Sequence, residues 1–203
     1  MLDLNESGIE EGGWAGDVVY LDNCDDVHLY DTSEPEYGAP GTPGEFRWCK
    51  VELDSGVKVL QLRQLFLVDM ASGTPVPKGS VLEKAVSTYS TADALAPADS
   101  ILPQLAGVVP AGINRNKLGG QAQGTLPASA TTAYWAWLVV RGPTDILSDA
   151  AVANEGVLVV KAASAAGRVD DAGASGLEAS VLGRALEAAG GAGTLFEADV
   201  TIR

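Results

Sequence analysis

The chain has a single histidine, His28, so any Ser-His-Asp or Cys-His site would have to be built on it. It lies in Leu21-Asp-Asn-Cys-Asp-Asp-Val-His-Leu-Tyr-Asp31, where thiolate, imidazole and carboxylate gather within a few residues. All three are metal-ligand types. However, no second Cys or His stands at ligand spacing, and there is no Asp-x-Asp-x-Asp-Gly calcium loop. A solvated acidic loop is the better reading, and neither a metal nor another cofactor is expected. Lys117 to Gly124 is Gly-rich, but its Lys precedes the glycines and no Gly-Lys-Ser/Thr follows, so the phosphate-binding pattern is missing. The acid pairs Glu10-Glu11 and Asp170-Asp171 have no apolar setting to separate their pKa values for acid/base work. No enzyme emerges from these residues.

The tryptophans are the remaining candidates, because an exposed indole can stack on a sugar. Trp135 and Trp137 lie in Tyr134 to Gly142, Tyr-Trp-Ala-Trp-Leu-Val-Val-Arg-Gly. Read with period two, both faces of this stretch are apolar, which predicts a core strand covered on both sides. It is expected to stop at Gly142-Pro143, with both indoles as packing. Trp14, alone in an acidic Gly-rich segment, is the better candidate to anchor an arm, and Trp48 belongs to an alternating run.

Charge is the clearest compositional signal. The 203 residues carry a net charge of −14, and twelve of the 27 acids fall in residues 1–45, which contain no Lys or Arg. The other fifteen acids nearly balance the 13 bases. Such a distribution excludes the basic face that nucleic acid requires and suits docking of an acidic segment on a basic protein surface. No run of about 18 apolar residues is present to span a membrane, and the first residues do not read as a secretory signal. With two cysteines, Cys24 and Cys49, free thiols of a reducing cytoplasm are expected.

The elements that must position these residues read as strands. A hydrophobic content of 46% lets a chain of this size bury roughly 70% of its unfolded surface. Asp17 to Leu21 is a short first strand. Ser33 to Gly44, with three prolines and three glycines, forms a linker, so residues 1–45 are an arm and linker and residues 46–203 the body. Phe46–Leu53 and Val57–Val68, split by Asp54-Ser55-Gly56, form a hairpin. Strands follow at Ser80–Val86, Leu105–Ala111, Tyr134–Arg141, Val157–Ala162 and Leu195–Ile202, with polar loops between, a mobile loop at Leu118–Pro127 and a short helical turn over Asp145–Asn154. Gly79-Ser-Val-Leu-Glu-Lys-Ala85 matches Gly156-Val-Leu-Val-Val-Lys-Ala162 without a gap, and Leu105-Ala-Gly-Val-Val matches Val181-Leu-Gly-Arg-Ala. These matches suggest a weak internal duplication over about 77–141 and 154–202. Gly176 to Ala189 has helical spacing by itself, and only the duplication favours a strand there.

A strand opening on Gly with a Val-Leu run, then a hydrophobic-x-Gly-hydrophobic-Ala element, then the closing strand Thr194 to Ile202, resembles the capsid decoration (cement) proteins of tailed bacteriophages. The likeness covers roughly residues 46–203, most clearly Ala151 to Arg203. It implies a structural virion protein on the outer surface of the head, made in the host cytoplasm and without catalytic residues. The implied partners are the major capsid protein and further copies of the chain, as a dimer or trimer. The expected fold is mainly β, a β-barrel or tulip-like or sandwich domain with long loops and an extended acidic N-terminal arm. The length and the acidic first 45 residues depart from the compact members of that family. The expected docking residues are Trp14, Asp17, Asp22, Asp25, Asp26 and Asp31. A carbohydrate- or receptor-binding module of a phage fibre or head-surface appendage is the reading from another class, and it requires solvent-facing tryptophans.

Overall fold

The computed structural model describes residues 41–53, 55–69, 76–86, 90–97, 100–110, 125–126, 133–160, 165–172 and 181–202, with two short pieces at 19–20 and 28–30. The strands are β1 (Val19–Tyr20), β2 (His28–Tyr30), β3 (Phe46–Glu52), β4 (Lys58–Val68), β5 (Val76–Pro77), β6 (Val81–Lys84), β7 (Thr91–Leu95), β8 (Leu105–Val108), β9 (Thr125–Leu126), β10 (Ala133–Leu147), β11 (Val157–Val160), β12 (Val169–Asp171), β13 (Val181–Ala185) and β14 (Leu195–Thr201). One 3-10 turn, Leu102–Gln104, precedes β8. The protein is mainly β, as expected. The hairpin β3–β4 turns at Gly56, whose φ of +82° suits a residue without a Cβ.

β10 is the long element, and it corrects the expected strand end at Gly142-Pro143. It runs 15 residues, to Leu147. Its first half pairs with β4, from Tyr134 opposite Val68 to Arg141 opposite Leu62, with a bulge between Val139 and Arg141. Its second half pairs with β14, from Arg141 opposite Thr201 to Leu147 opposite Leu195. Gly142 sits at the changeover with φ +105°, where a Cβ would come within 2.6 Å of the Leu60 carbonyl oxygen. Pro143 lacks an N–H, but its carbonyl accepts a hydrogen bond from Gln61 Nε2 at 2.6 Å. Gly-Pro therefore bends the strand from one partner to the next without ending it. The helical turn expected over Asp145–Asn154 is absent for the same reason. Asp145–Leu147 continue β10, and Ser148 makes a parallel bridge to Val169.

The changeover lets β10 close two small barrels. In the first, β4 pairs with β7 in parallel, β7 with β6, β6 with β8, β8 with β10, and β10 returns to β4. In the second, Ser148, the residue after β10, bridges Val169 of β12 in parallel, β12 pairs with β11, β11 with β13, β13 with β14, and β14 returns to β10. The pairing order is the same in both, and β10 is the last strand of one and the first of the other. The registers also agree. Leu82 lies opposite Gly107 and Leu158 opposite Gly183, each pair followed by a bulge, so equivalent positions are 76 residues apart. Gly79 at φ +77° then corresponds to Glu155 at φ +62°, the one described non-glycine residue with positive φ. The match of Gly79 with Gly156 was thus one residue out of register. The segment of helical spacing contains strand β13. The two regions read as polar loops each contain a strand, β7 and β12.

Phe66, Leu82, Ala106, Ala136 and Leu138 belong to the core of the first barrel. Ile146, Leu158, Leu182, Phe196 and Ala198, at the corresponding positions of the second, belong to a larger cluster that reaches Val81, Leu105, Val108 and Val139 on the back of the first. Large and small residues trade places between the barrels (Ala106 for Leu182, Ala136 for Phe196, Leu138 for Ala198), which fills each interior with a different set of side chains.

Candidate interaction surface

The expected docking residues Trp14, Asp17, Asp22, Asp25, Asp26 and Asp31 lie outside the described residues, as do Cys24 and Lys117–Gly124. Two pieces of the acidic segment are placed by their backbones. Val19 and Tyr20 lie opposite Trp48 and Cys49 on the free edge of β3, in parallel. His28, Leu29 and Tyr30 lie opposite Trp135, Tyr134 and Ala133 of β10, antiparallel. The first strand expected at Asp17–Leu21 is present as β1.

Between those two attachments lies one face of β3, β4 and β10. Residues directly opposed in a sheet point the same way. Arg47 is opposite Arg63 and Cys49 opposite Gln61, while Leu65 is opposite Trp137 and Leu67 opposite Trp135. These eight residues therefore share the face turned away from the barrel interior, which Phe66 and Leu138 occupy. Cys49, Leu65, Trp135 and Trp137 form a buried cluster with Val51 and Leu67 against it. Trp135 and Trp137 are 8% and 1% exposed, so both tryptophans are packing, as expected.

Two arginines directly opposed across a sheet would repel, and the side chains resolve this. Arg47 places its guanidinium 4.4 Å from the centroid of the Trp137 ring, a cation-π arrangement, and its Nε donates to Glu45 Oε1 at 2.8 Å. That hydrogen bond holds the Glu45 carboxyl below its ordinary value of 4.5, against some desolvation. Arg63 is only 1% exposed, and its Nε donates to Gln61 Oε1 at 2.9 Å. Gln64, on the opposite side of β4, donates from Nε2 to the Gly44 carbonyl at 2.9 Å and so ties the segment before β3 to the sheet.

Cys49 corrects the expectation of free thiols, because it is disulfide-bonded. The chain has one other cysteine, Cys24.

Elsewhere the chemistry is sparse. Glu83 on β6 has its pKa raised above the ordinary 4.5, first by burial and then by the charge of Asp93 on β7, with a hydrogen bond from Ser100 opposing. Asp170 and Asp171, read as solvated, lie on β12, where the Asp171 N–H donates to Asp170 Oδ1 at 2.8 Å. Among the described residues no group of three or more His, Cys, Asp or Glu is disposed to hold a metal ion, and no helix is long and apolar enough to cross a membrane.

Arg47 and Arg63 were missed as members of this face. The signal was available in the alternation Arg47-x-Cys49-x-Val51 and Gln61-x-Arg63-x-Leu65, which sets the charged residues on the side of the apolar ones. No protein-family model, no curated protein and no solved structure matches this chain.

Proposed function

We propose that this is a structural virion protein that binds the outside of a phage capsid as a decoration, or cement, protein, with the acidic segment as its docking element and the two barrels as a rigid base. The observation that supports this best is where the acidic segment attaches. Residues 1–45 hold twelve acids and no base, and two pieces of them pair with strands of a nearly neutral body, Val19–Tyr20 with β3 and His28–Tyr30 with β10. Asp17, Asp22, Asp25, Asp26 and Asp31 all lie within a few residues of those two attachments. An acidic surface held on a rigid base suits Lys and Arg on a shell. Copies repeated over a lattice turn modest contacts into firm attachment, and association of the chain with itself as a dimer or trimer would add to this. The carbohydrate-binding alternative loses its best platform, because Trp135 and Trp137 are buried.

The test is to add the purified protein to phage heads lacking it, sediment them, and measure the heat stability of the decorated heads. Co-sedimentation at a saturating, fixed copy number with heads that open at higher temperature is expected. Absence of the protein from the pellet would overturn the reading.

A further inference from the structure

We infer that the chain pairs with a second copy of itself through the outer face of β11, β13 and β14, with Arg184 of each copy set against Asp199 of the other. The equivalence of the two barrels leads to this face. Val81, Val108 and Val139 are opposed in a row across β6, β8 and β10. All three are 0% exposed, because the second barrel packs over them in the larger core cluster. The same register sets Val157, Arg184 and Asp199 in a row across β11, β13 and β14. There the side chains are open. Arg184 and Asp199 are exposed, Val157 is 37% exposed, and Leu186, two residues beyond Arg184, is 46% exposed. The second barrel thus leaves open the face through which the first is joined to its neighbour, and the last unit of a repeat needs that face capped.

The residues that replace the valines decide what can cap it. A further barrel, stacked as the second is on the first, would press Arg184 and Asp199 into an apolar cluster, where both charges are costly. A second copy related by a two-fold axis avoids this. Directly opposed residues on neighbouring strands lie about 5 Å apart and point the same way. An axis running between β13 and β14, parallel to them, therefore brings each Arg184 over the other copy's Asp199. One pair of residues then makes two ion pairs, the self-complementary pattern of an isologous contact. Among the described residues neither side chain has a hydrogen-bond or ion-pair partner in its own chain. Val157 and Leu186 add apolar area beside the charges. The inference goes beyond the capsid reading and stands without it, since the face belongs to the barrels and not to the acidic segment.

The full-length protein is examined by sedimentation equilibrium over a range of protein and salt concentrations. A monomer–dimer equilibrium that weakens with salt is expected. Arg184→Asp alone, or Asp199→Arg alone, sets like charges against each other, and each is expected to raise the dimer Kd about tenfold or more. An equimolar mixture of the two variants is expected to regain wild-type affinity, because every Asp then faces an Arg across the contact. Damage to the fold would not be repaired by mixing. Melting followed by circular dichroism checks that each variant is folded. If one is not, Leu186→Ser, at an exposed site, takes its place and is expected to weaken the dimer several-fold. A monomer at every concentration would overturn the inference, as would a trimer, a dimer indifferent to these substitutions, or weakened variants that mixing does not rescue. Failure here leaves the capsid proposal standing, because binding to heads is assayed separately.

Discussion

Gly183→Ala tests the two-barrel architecture at its tightest point. A Cβ on Gly183 would collide with the Asp199 carbonyl oxygen and approach Val200 Cα at 2.9 Å, and both atoms belong to the paired strand β14. Backbone atoms cannot rotate aside as a long side chain can, so the ladder between Gly183 and Val200 has to shift. Overpacking of this kind costs about 1–3 kcal/mol. Replacing Gly by Ala returns about 0.4–1 kcal/mol through the unfolded chain. Taking the upper part of the first range, the net loss is about 2 kcal/mol, a fall in Tm of roughly 4–8 °C for a chain of this size. Gly107→Ala, the equivalent change in the first barrel, should behave alike, since its Cβ would lie 2.7 Å from Leu138 Cβ and 3.0 Å from the Val139 carbonyl oxygen. Gly190→Ala is the control. Nothing lies within 4 Å of a Cβ there, so its stability should be unchanged or slightly raised. Thermal unfolding followed by circular dichroism reads all three. If Gly183→Ala melts with the wild type, the close approach of β13 to β14 and the register drawn from it are wrong.

Other perturbations probe single features. Glu155→Gly should keep or raise stability by up to about 1 kcal/mol, because it gives the left-handed position (φ +62°) the residue found at Gly79; a loss in denaturant titration would contradict that. Glu83 has a raised pKa in the folded state, so it binds a proton more readily folded than unfolded, and its contribution to stability falls as pH rises from 4.5 through the folded value. Glu83→Gln should therefore stabilise the protein at pH 7 and have no effect well below pH 4.5, as melting across pH would show. Glu45 has the opposite sign: its pair with Arg47 contributes above pH 4.5 and is lost as pH falls through the lowered value. Because the pair is partly exposed, Glu45→Gln should cost only about 0.2–1 kcal/mol at pH 7. Trp137→Ala, at a site 1% exposed, should cost about 3–5 kcal/mol in urea titration.

Much of the fold was legible because its strands are marked by alternation and its hairpin by a turn. Leu105-Ala-Gly-Val-Val and Val181-Leu-Gly-Arg-Ala were paired correctly because the tight approach to the last strand demands Gly107 and Gly183 in the same place. Gly79 was matched to the wrong neighbour because Glu155, which shares its left-handed conformation, hides that requirement behind an unsuitable residue type. β7 and β12 escaped notice for a common reason. Thr91-Ala-Asp-Ala-Leu95 and Val169-Asp-Asp171 are short and contain small or acidic residues with little intrinsic strand preference, and they are strands because closing each barrel requires one there. Gly142-Pro143 misled because a local breaker became a bend once β4 and β14 competed for the same strand. On the candidate surface, composition marked the acidic segment. The arginines and Cys49 that face its two attachments became visible only through the registers of β3, β4 and β10.

The proposal of an acidic docking element is tested most directly by sedimenting undecorated heads with the protein over a series of salt concentrations. The wild type is compared with a variant carrying Glu6, Glu10, Glu11, Glu34 and Glu36 as Gln and Asp17 and Asp31 as Asn. These acids all lie in residues 1–45, so the body is left intact. Wild-type binding that weakens steadily with salt, with weaker and nearly salt-independent binding by the variant, is the predicted result. Equal binding by the two proteins at every salt concentration would contradict it.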